Sequence, residues 1–492
     1  MSLPIGIAEL LEEGKVENQR IEYKEGWDPE PILHTITAFA NDYEGYSGGY
    51  ILIGVKAVNG IPVLPIAGLD KNKVDSIQGE ILELCKKCIS PDYCPSIEEC
   101  EYQGKEIIAL WCYSDYDAPY YCKEHLYSKE SKTTACYIRK GSSTIKATKK
   151  QTQELEESNE IIPFDDRINR KAKVSDLKPS LLKEYLNETG STLLENFEYM
   201  DVERVEDSLR LLGGPKEDTH PKNVALLMFS DHPELFLPYS YIVLDYLPDP
   251  TGEGMISKEF RGPLPRQIRD CLQYLRNEFV SAMTHKIEGR PESQTIYNYP
   301  YGALEELIPN AVLHKDYRIP EPVTIRITKT EIQITSFPGL SPTITDERVE
   351  KLDLLSRSYR NKRIAEFLRD IHLVEAKNTG IPKAIKSLAF NGSPSLSFEM
   401  PQDREYVTAV LRIHHDFEKN ERIGAETPKG ANVRQKIISY LQSNPESTLT
   451  EIARGLSYRS IPNSLRKALR DAVASGEISV SGKKYKIGER KK

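Results

Sequence analysis

The sequence lacks several features that would assign it to a common class of protein. No apolar run reaches the roughly 18 residues that a membrane-spanning helix needs. No Gly-x4-Gly-Lys-Ser/Thr motif is present to form a P-loop. The first residues, MSLPIGIAELLEEGK, carry acids where a signal peptide is basic, so they predict a short helix. Together these absences favour a cytoplasmic protein with no membrane partner.

Signatures of metal binding and of hydrolase chemistry are incomplete. Cys85, Cys88, Cys94 and Cys100 follow the spacing C-x2-C-x5-C-x5-C, without the paired C-x2-C knuckles of a zinc ribbon. We therefore expect reduced cysteines that pack as small apolar groups, with zinc binding as the alternative. A G-x-S-x-G sequence at residues 45–49 lies between a predicted helix and a predicted strand. A nucleophile elbow needs the opposite order.

Charge is unevenly distributed along the chain. The 492 residues are 39% hydrophobic and 28% charged, which is typical of soluble globular proteins and allows about three or four domains. Residues 427–492 contain 14 Lys and Arg against 5 Asp and Glu, a net charge of +9. The rest of the chain carries a net charge of −17, so the whole chain has a net charge of −8. A basic tail on an acidic body indicates that the tail binds a polyanion such as DNA.

An acid, an amide and an imidazole recur every four residues in YGALEELIPNAVLHKDY. Glu306, Asn310 and His314 would therefore stack along one face of a helix. Burying such groups is costly unless a polar partner or ligand lies against them. Strand-like segments follow at residues 322–328 and 331–340, and then SRSYRNKRIAEFLRD and VEAKNTGIPKAI.

This order of motifs resembles the divergent, RecG-like form of the GHKL ATPase module found in bacterial regulators. The resemblance implies an α/β sandwich that binds ATP through Glu306, Asn310, His314, Gly339 and Gly380, with Asn310 holding the Mg²⁺ of the nucleotide. The Asp-x-Gly-x-Gly turn of active GHKL enzymes is replaced here by Ser-Phe-Pro-Gly at residues 336–339. Nucleotide binding, residual ATPase activity, and a fold retained only for packing therefore stay open.

A second ordered pattern occupies the residues before about 165. The segments GKVENQRIEYK, PEPILHTITAFAN, YILIGV and CYIRKGSST follow one another in that order. They resemble the four motifs of the Schlafen AlbA-type DNA-binding domain. The resemblance implies a nucleic-acid-binding α/β domain, with Arg139 and Lys140 of the last motif as candidate contacts.

Animal nucleases of the Schlafen family suggest an enzymatic alternative. There, two glutamates and an aspartate form a carboxylate cluster that holds a divalent metal. Glu17 and Glu22 match the pair, and Lys24 matches the basic residue beside it. The third position falls on Lys56 or Ala57, neither of which is a carboxylate. We therefore expect Glu22 and Lys24 to pair along a strand edge instead.

Residues 431–492 predict three helices and a hairpin. VRQKIISYLQ, LTEIARGL and IPNSLRKALRDAVASG read as helices, and EISVSGKKYKIG reads as a hairpin with Ser481-Gly482 as its turn. This order resembles the winged helix-turn-helix of bacterial transcription factors, although some winged helices bind protein. The predicted nucleic-acid contacts are Arg459, Ser460, Asn463, Arg466, Lys467, Arg470, Lys483 and Lys484.

The sequence therefore predicts an α+β multidomain protein. Its parts are a Schlafen AlbA-like α/β domain at 1–165, a connecting region at 166–295 with NVALLMFS and YSYIVLDYL as a strand pair, a GHKL-like α/β sandwich at 296–417, a linker at 418–430 and a winged helix at 431–492. The predicted function is DNA-binding transcriptional regulation by a homo-oligomer, with ATP and Mg²⁺ or another small molecule as effector. The alternative is an enzyme, either a metal-dependent nuclease or an ATPase acting on nucleic acid, for example in phage defence.

Overall fold

The computed structural model describes most of the chain. Its internal contacts divide the chain into two compact units. The described residues are 3–12, 16–127, 133–197, 202–286, 293–354, 359–374, 380–421, 433, 437–438, 440–441, 444–456, 463–474, 478–481 and 484–487. The first unit comprises Met1–Asp231 with Arg360–Ile364, and the second comprises His232–Tyr359 with Ala365–Lys492. Both units mix helices and strands, which confirms the predicted α+β class. None of the described helices combines the length and the apolar character needed to cross a bilayer.

The first unit contains the elements that precede residue 231. Its helices are α1 (Ile7–Glu12), α2 (Pro29–Asn41), α3 (Val74–Cys88), α4 (Lys149–Ile161), α5 (Pro179–Glu188), α6 (Val202–Ser208) and α7 (Asn223–Phe229). Its strands are β1 (Ile21–Lys24), β2 (Gly49–Ile53), β3 (Ala57–Val58), β4 (Ile61–Pro62), β5 (Ile89–Ser90), β6 (Ser96–Tyr102), β7 (Lys105–Cys112), β8 (Tyr121–Lys123), β9 (Thr134–Lys140), β10 (Ser143–Lys146), β11 (Leu212–Gly213) and β12 (His220–Pro221).

Two four-stranded sheets and helix α2 form the core of the first unit. One sheet has the order β1-β2-β7-β6, with β1 parallel to β2, and the other has the order β10-β9-β8-β5. Pro29 and Pro31 lie in the first turn of α2, where a missing N–H costs nothing. From Ile32 onward most of α2 is buried, and it packs with Ile51, Leu110 and other apolar residues of the sheets. The motif PEPILHTITAFAN is thus a helix, as predicted, and it lies in the core.

One predicted strand of the connecting region is a helix. The segment NVALLMFS was expected to form a strand, but Asn223–Phe229 is α7, and every residue of it is buried. An apolar run that is buried on all sides has no periodicity, so its pattern does not separate a strand from a helix. Ala, Leu and Met have high helix propensity, and here that local preference agrees with the observed helix.

The second unit contains the remaining elements. Its helices are α8 (Leu264–Glu278), α9 (Tyr301–His314), α10 (Asp346–Glu350), α11 (Lys362–Asp370, which begins in the segment assigned to the first unit), α12 (Gly380–Asn391), α13 (His415–Glu421), α14 (Leu449–Gly455) and α15 (Asn463–Ala474). Its strands are β13 (Ile242–Tyr246), β14 (Ile256–Phe260), β15 (Ala282–Lys286), β16 (Ser293–Tyr297), β17 (Val323–Ile327), β18 (Glu331–Ser336), β19 (Ser397–Glu399), β20 (Val407–Arg412), β21 (Ser447–Thr448), β22 (Ile478–Ser481) and β23 (Lys484–Ile487).

A six-stranded sheet carries the motifs of the predicted sandwich. Its strand order is β14-β13-β17-β18-β20-β19. Strand β18 alternates between partly buried and buried residues, and α9 packs against it. Strands β13 and β14 come from the segment predicted to be a connecting region, and β13 pairs in parallel with β17. The sheet therefore extends across the predicted boundary at residue 296.

The described part of the tail contains helices α14 and α15, further helical residues at 437–438 and 440–441, and a small sheet. Its sheet has the order β21-β23-β22, and its core includes Leu441, Ile452, Leu465 and Leu469. Ser481 pairs with Lys484, so Ser481 lies in the strand and not in the turn where it was predicted. A winged helix remains a prediction for this region. Helix α13 reaches Glu421, and residues 422–430 of the predicted linker lie outside the described residues.

Candidate functional site

Helix α9 places Glu306, Asn310 and His314 on one face, as the four-residue spacing predicts. Glu306 and Asn310 are partly buried, whereas His314 is exposed. The rest of the helix is largely buried, including Leu307 and Ile308. The Asn310 amide Nδ2 donates to the Glu306 carbonyl oxygen at 2.6 Å, which orients the amide and leaves Oδ1 as its acceptor. Asn310 therefore has the oxygen that a hard cation prefers.

Helix α12 begins against this polar face. A Cβ at Gly380 would lie 2.8 Å from Glu306 Oε2 and 3.0 Å from Asn310 Nδ2, so only glycine allows so close an approach. The first backbone N–H groups of a helix carry partial positive charge and bind anions. The structure thus brings three predicted residues together: Glu306, Asn310 and Gly380. Asn378 and Thr379 of the same motif lie outside the described residues.

His314 is the last residue of α9. Its ring stacks on that of Tyr359, with 5.8 Å between the centroids and 27° between the planes. This contact places the tyrosine of the SRSYRN motif beside the polar face. No role was predicted for Tyr359, because nothing in the sequence shows which helix end this residue contacts.

Gly339 is explained by packing. Its N–H donates to the Arg404 carbonyl at 2.8 Å. A Cβ there would lie 2.8 Å from the Arg404 carbonyl oxygen and 2.9 Å from both Met400 Sδ and the Tyr406 carbonyl oxygen. The Arg404 guanidinium also donates to the carbonyls of Leu340, Ser341 and Ile344. This turn is closed by protein backbone, so Gly339 needs no ligand to account for it.

The residues directly after α9 hold the turn that follows it. Lys315 is 1% exposed, and its Nζ donates to the carbonyls of Asp316 and Ile319 at 3.2 Å each. Burial lowers the pKa of Lys315 to about 8, against the opposing effect of nearby acids. Asp316 forms a two-pronged ion pair with Arg318, and Tyr317 Oη donates to the Val312 carbonyl. Lys315 was not predicted, because its neighbours His314 and Asp316 are polar and nothing in the sequence marks it as buried.

In the first unit, Glu22 is a buried carboxylate with two cationic partners. Lys24 Nζ lies 2.7 Å from Glu22 Oε1, and Arg139 Nη1 lies 2.8 Å from Oε2. The predicted pairing of Glu22 with Lys24 is therefore observed. Glu17 accepts the backbone N–H of Tyr23 at 3.0 Å. Among the described residues, no group of three or more His, Cys, Asp or Glu side chains is placed to hold a metal ion.

Arg139 and Lys140 differ sharply in exposure. Arg139 is 5% exposed, and besides Glu22 it donates to Thr144 Oγ1 at 3.1 Å and to the Asn18 carbonyl at 2.9 Å. Its guanidinium also lies 4.9 Å from the centre of the Phe39 ring. The geometry thus gives Arg139 internal partners, and Lys140 is the exposed member of the predicted pair.

Helix α15 has one apolar and one basic face. Leu465, Leu469 and Ala472 are buried, whereas three cationic residues of the helix are exposed. These are Arg466, Lys467 and Arg470. Among the described side chains, no carboxylate lies within ion-pair distance of these three. The helix therefore presents its positive charge to solvent.

Of the other predicted contacts in the tail, only two fall within the described residues. Asn463 is the first residue of α15, and Lys484 is exposed on β23, 3.9 Å from Glu446. Arg459, Ser460 and Lys483 lie outside the described residues.

Comparisons with known proteins agree with two of the sequence resemblances. Residues 17–148 match the family described as Schlafen, AlbA_2. Residues 321–411 match the family described as "Putative ATP-dependent DNA helicase recG C-terminal". Both matches fall within the segments whose motifs predicted them, which confirms the Schlafen AlbA-type and the RecG-like resemblance.

Two solved structures are similar at low sequence identity. The DIP2311 protein from Corynebacterium diphtheriae is 17% identical, with a TM-score of 0.40, over 96% of this chain and 92% of that one. The N-terminal domain of a RecG-related protein from Nitrosomonas europaea is 24% identical, with a TM-score of 0.19, over 23% of this chain and 74% of that one. At these TM-scores neither likeness supports an argument. A search of curated proteins gives no match.

Proposed function

We propose that this chain, with its Schlafen AlbA_2 and RecG-type C-terminal matches, is a DNA-binding transcriptional regulator. The observation that carries the proposal is helix α15, which buries Leu465 and Leu469 and presents Arg466, Lys467 and Arg470 to solvent. The GHKL-like module would bind a nucleotide effector. Assembly as a homo-oligomer and a cytoplasmic location belong to the same proposal.

The arrangement of α15 suits binding to duplex DNA. Arg470 lies three and four residues after Lys467 and Arg466, so it is a neighbour of both on the helix surface. Arginine and lysine bind backbone phosphates whatever the sequence, and an arginine at the groove edge also reads guanine. Lys484, on the neighbouring hairpin, would add a phosphate contact from the wing. Its pair with Glu446 is exposed and long, so it contributes little and is easily exchanged.

The polar face of α9 fits the phosphate end of a Mg²⁺–nucleotide. Asn310 Oδ1 would hold the cation, and the N-terminus of α12 at Gly380 would hold a phosphate. The adenine end fits less well, because Ser336 donates its hydroxyl to the Ala311 carbonyl where active enzymes have an aspartate. A bound nucleotide would stabilise one conformation of the module, which is the energetic requirement for an effector.

The geometry favours regulation over nuclease chemistry. Glu22 is the buried carboxylate of the proposed metal cluster, yet it already lies within ion-pair distance of Lys24 and Arg139. Binding a dication there would place it beside two other cations. A Glu22→Gln variant should therefore leave any cleavage of DNA or transfer RNA by the purified chain unchanged.

A DNA-binding titration of the full chain tests the main proposal. The probe is a fluorescently labelled random duplex, followed by anisotropy in low salt. The double variant Arg466→Ala/Lys467→Ala should bind at least about tenfold more weakly, since each lost phosphate contact weakens binding by counterion release. The matched control is Lys86→Ala/Lys87→Ala, which removes two adjacent exposed lysines from α3. Equal affinity of wild type and both variants would refute the role of α15.

A further inference from the structure

An acidic loop of the first unit lies on a cluster of cations. This loop, residues 214–219, joins β11 to β12. Glu217 Oε1 lies 2.5 Å from Arg20 Nη2. The Asp218 carboxylate lies 2.9 Å from both Arg170 Nη1 and His220 Nε2, and it accepts a hydrogen bond from the indole N–H of Trp111 at 3.1 Å. Two carboxylates thus occupy a surface formed by two guanidinium groups, an imidazole and an indole N–H.

The two arginines are held in place by contacts that do not involve the loop. Arg20 donates its Nε to the Gly48 carbonyl at 3.2 Å, and its guanidinium lies 5.7 Å from the centre of the Trp111 ring. Arg170 donates to the Ser114 carbonyl at 2.9 Å and lies 4.4 Å from the centre of the Tyr113 ring. Removing the acids would therefore leave both guanidinium groups positioned.

His220 adds a third cation to this surface. Its Nδ1 lies 2.8 Å from the Ala172 carbonyl oxygen and its Nε2 lies 2.9 Å from Asp218 Oδ1. Both partners are acceptors, so only the imidazolium, which has two N–H donors, satisfies both contacts. The hydrogen bond to Asp218 accordingly raises the pKa of His220.

The loop itself has features of a displaceable cover. It closes on itself, because the Asp218 N–H and the Thr219 hydroxyl both donate to the Pro215 carbonyl, at 2.9 and 3.1 Å. Glu217 and Asp218 keep only 18% of their side-chain surface exposed, so their ion pairs are partly shielded from solvent. Another anion can displace them only by offering the same cations equivalent contacts.

We propose that Arg20, Arg170 and His220 form a second binding surface for nucleic-acid phosphates, and that the acidic loop covers it. The two carboxylates occupy the positions that two phosphate groups would take, and a guanidinium binds either anion with the same paired N–H donors. The choice of nucleic acid as ligand rests on the proposed function; the presence of a covered anion site does not. The loop would set a threshold that only a long polyanion overcomes.

The test is made in the Arg466→Ala/Lys467→Ala background, so that contacts of the tail do not mask it. In that full-length chain, Glu217→Gln/Asp218→Asn should bind a labelled single-stranded or duplex oligonucleotide at least about tenfold more tightly at low salt. Adding Arg20→Gln should remove the gain. If the double loop variant does not fold, as judged by circular dichroism, Glu217→Gln alone should show a smaller gain.

A charge-matched control separates the site from a general change in net charge. Glu156→Gln/Glu157→Gln removes two exposed acids from α4 and should give no comparable gain. An equal gain in this control, no gain in the loop variant, or a gain that survives Arg20→Gln would each overturn the proposal. Competition by poly-glutamate as strong as by the oligonucleotide would overturn nucleic acid as the ligand in favour of an acidic protein. None of these outcomes depends on α15, which is tested by comparing wild type with the background variant.

Discussion

Lys315 should make the stability of the second unit depend on pH in the alkaline range. Its pKa is lowered from 10.5 to about 8 by burial, so the folded chain releases its proton before the unfolded chain does. Between these two values the unfolded state binds more protons, and stability therefore rises with pH. Protonation favours the unfolded state by about 3 kcal/mol at pH 7.5 and by about 1.4 kcal/mol at pH 9.5, at 1.36 kcal/mol per pKa unit. This site should thus add about 2 kcal/mol over that range.

Urea unfolding of wild type and Lys315→Met at several pH values measures this effect. A chain with two units unfolds in more than one step, so the difference is taken on the transition that Lys315→Met shifts. Relative to the variant, the wild type should gain about 2 kcal/mol between pH 7.5 and 9.5. The control Lys329→Met replaces an exposed lysine of the same unit and should give a difference that does not change with pH. A difference for Lys315→Met that is equally flat would refute the buried, proton-releasing lysine.

Further predictions concern the polar face of α9 and the ion pairs of the first unit. Asn310→Ala should abolish the Mg²⁺-dependent thermal shift caused by an ATP analogue, which at 100 times Kd corresponds to about 2.7 kcal/mol, whereas Glu306→Gln should largely keep it. If wild type shows no shift, the site is structural. Gly380→Ala should also lose the shift, because its Cβ would lie 3.0 Å from the Asn310 amide that would hold the cation, yet its melting temperature without ligand should change little. Arg139→Met should cost about 3 kcal/mol by leaving Glu22 buried with one partner fewer, and adding Glu22→Gln should restore part of it; an additive double variant would contradict the pair. Wild type should be more stable than His220→Gln by a margin that is complete below pH 6.5, the ordinary pKa of histidine. This margin should disappear as the pH rises through the raised pKa of His220, and its loss on acidification would contradict the prediction.

Local patterns predicted the elements that carry a clear periodicity or motif. Glu306, Asn310 and His314 share a helix face because four residues make about one turn, and that geometry is fixed by the sequence alone. The pairing of Glu22 with Lys24 was likewise predictable, because residues two apart in a strand lie on the same side. The helix predicted for IPNSLRKALRDAVASG likewise agrees with α15.

Features that depend on distant parts of the chain were not predictable. Arg139 looked like a surface contact because its motif is basic, but its partner Glu22 lies on another strand. Strand β13 was predicted, yet its pairing with β17 was not, since the two strands are far apart in sequence. The cation cluster under Glu217 and Asp218 joins residues from four separate segments, and none of those segments is unusual by itself. A fully apolar segment such as α7 gave no period from which to choose helix over strand.

The salt dependence of DNA binding by the full chain tests the central claim most directly. The logarithm of the binding constant should fall linearly with the logarithm of salt concentration, by about 0.9 for each phosphate neutralised. Arg466→Ala/Lys467→Ala should make that slope shallower by about 2, whereas Lys86→Ala/Lys87→Ala should leave it unchanged. A wild-type affinity that does not change with salt, or a slope that is the same in all three proteins, would contradict DNA binding through α15.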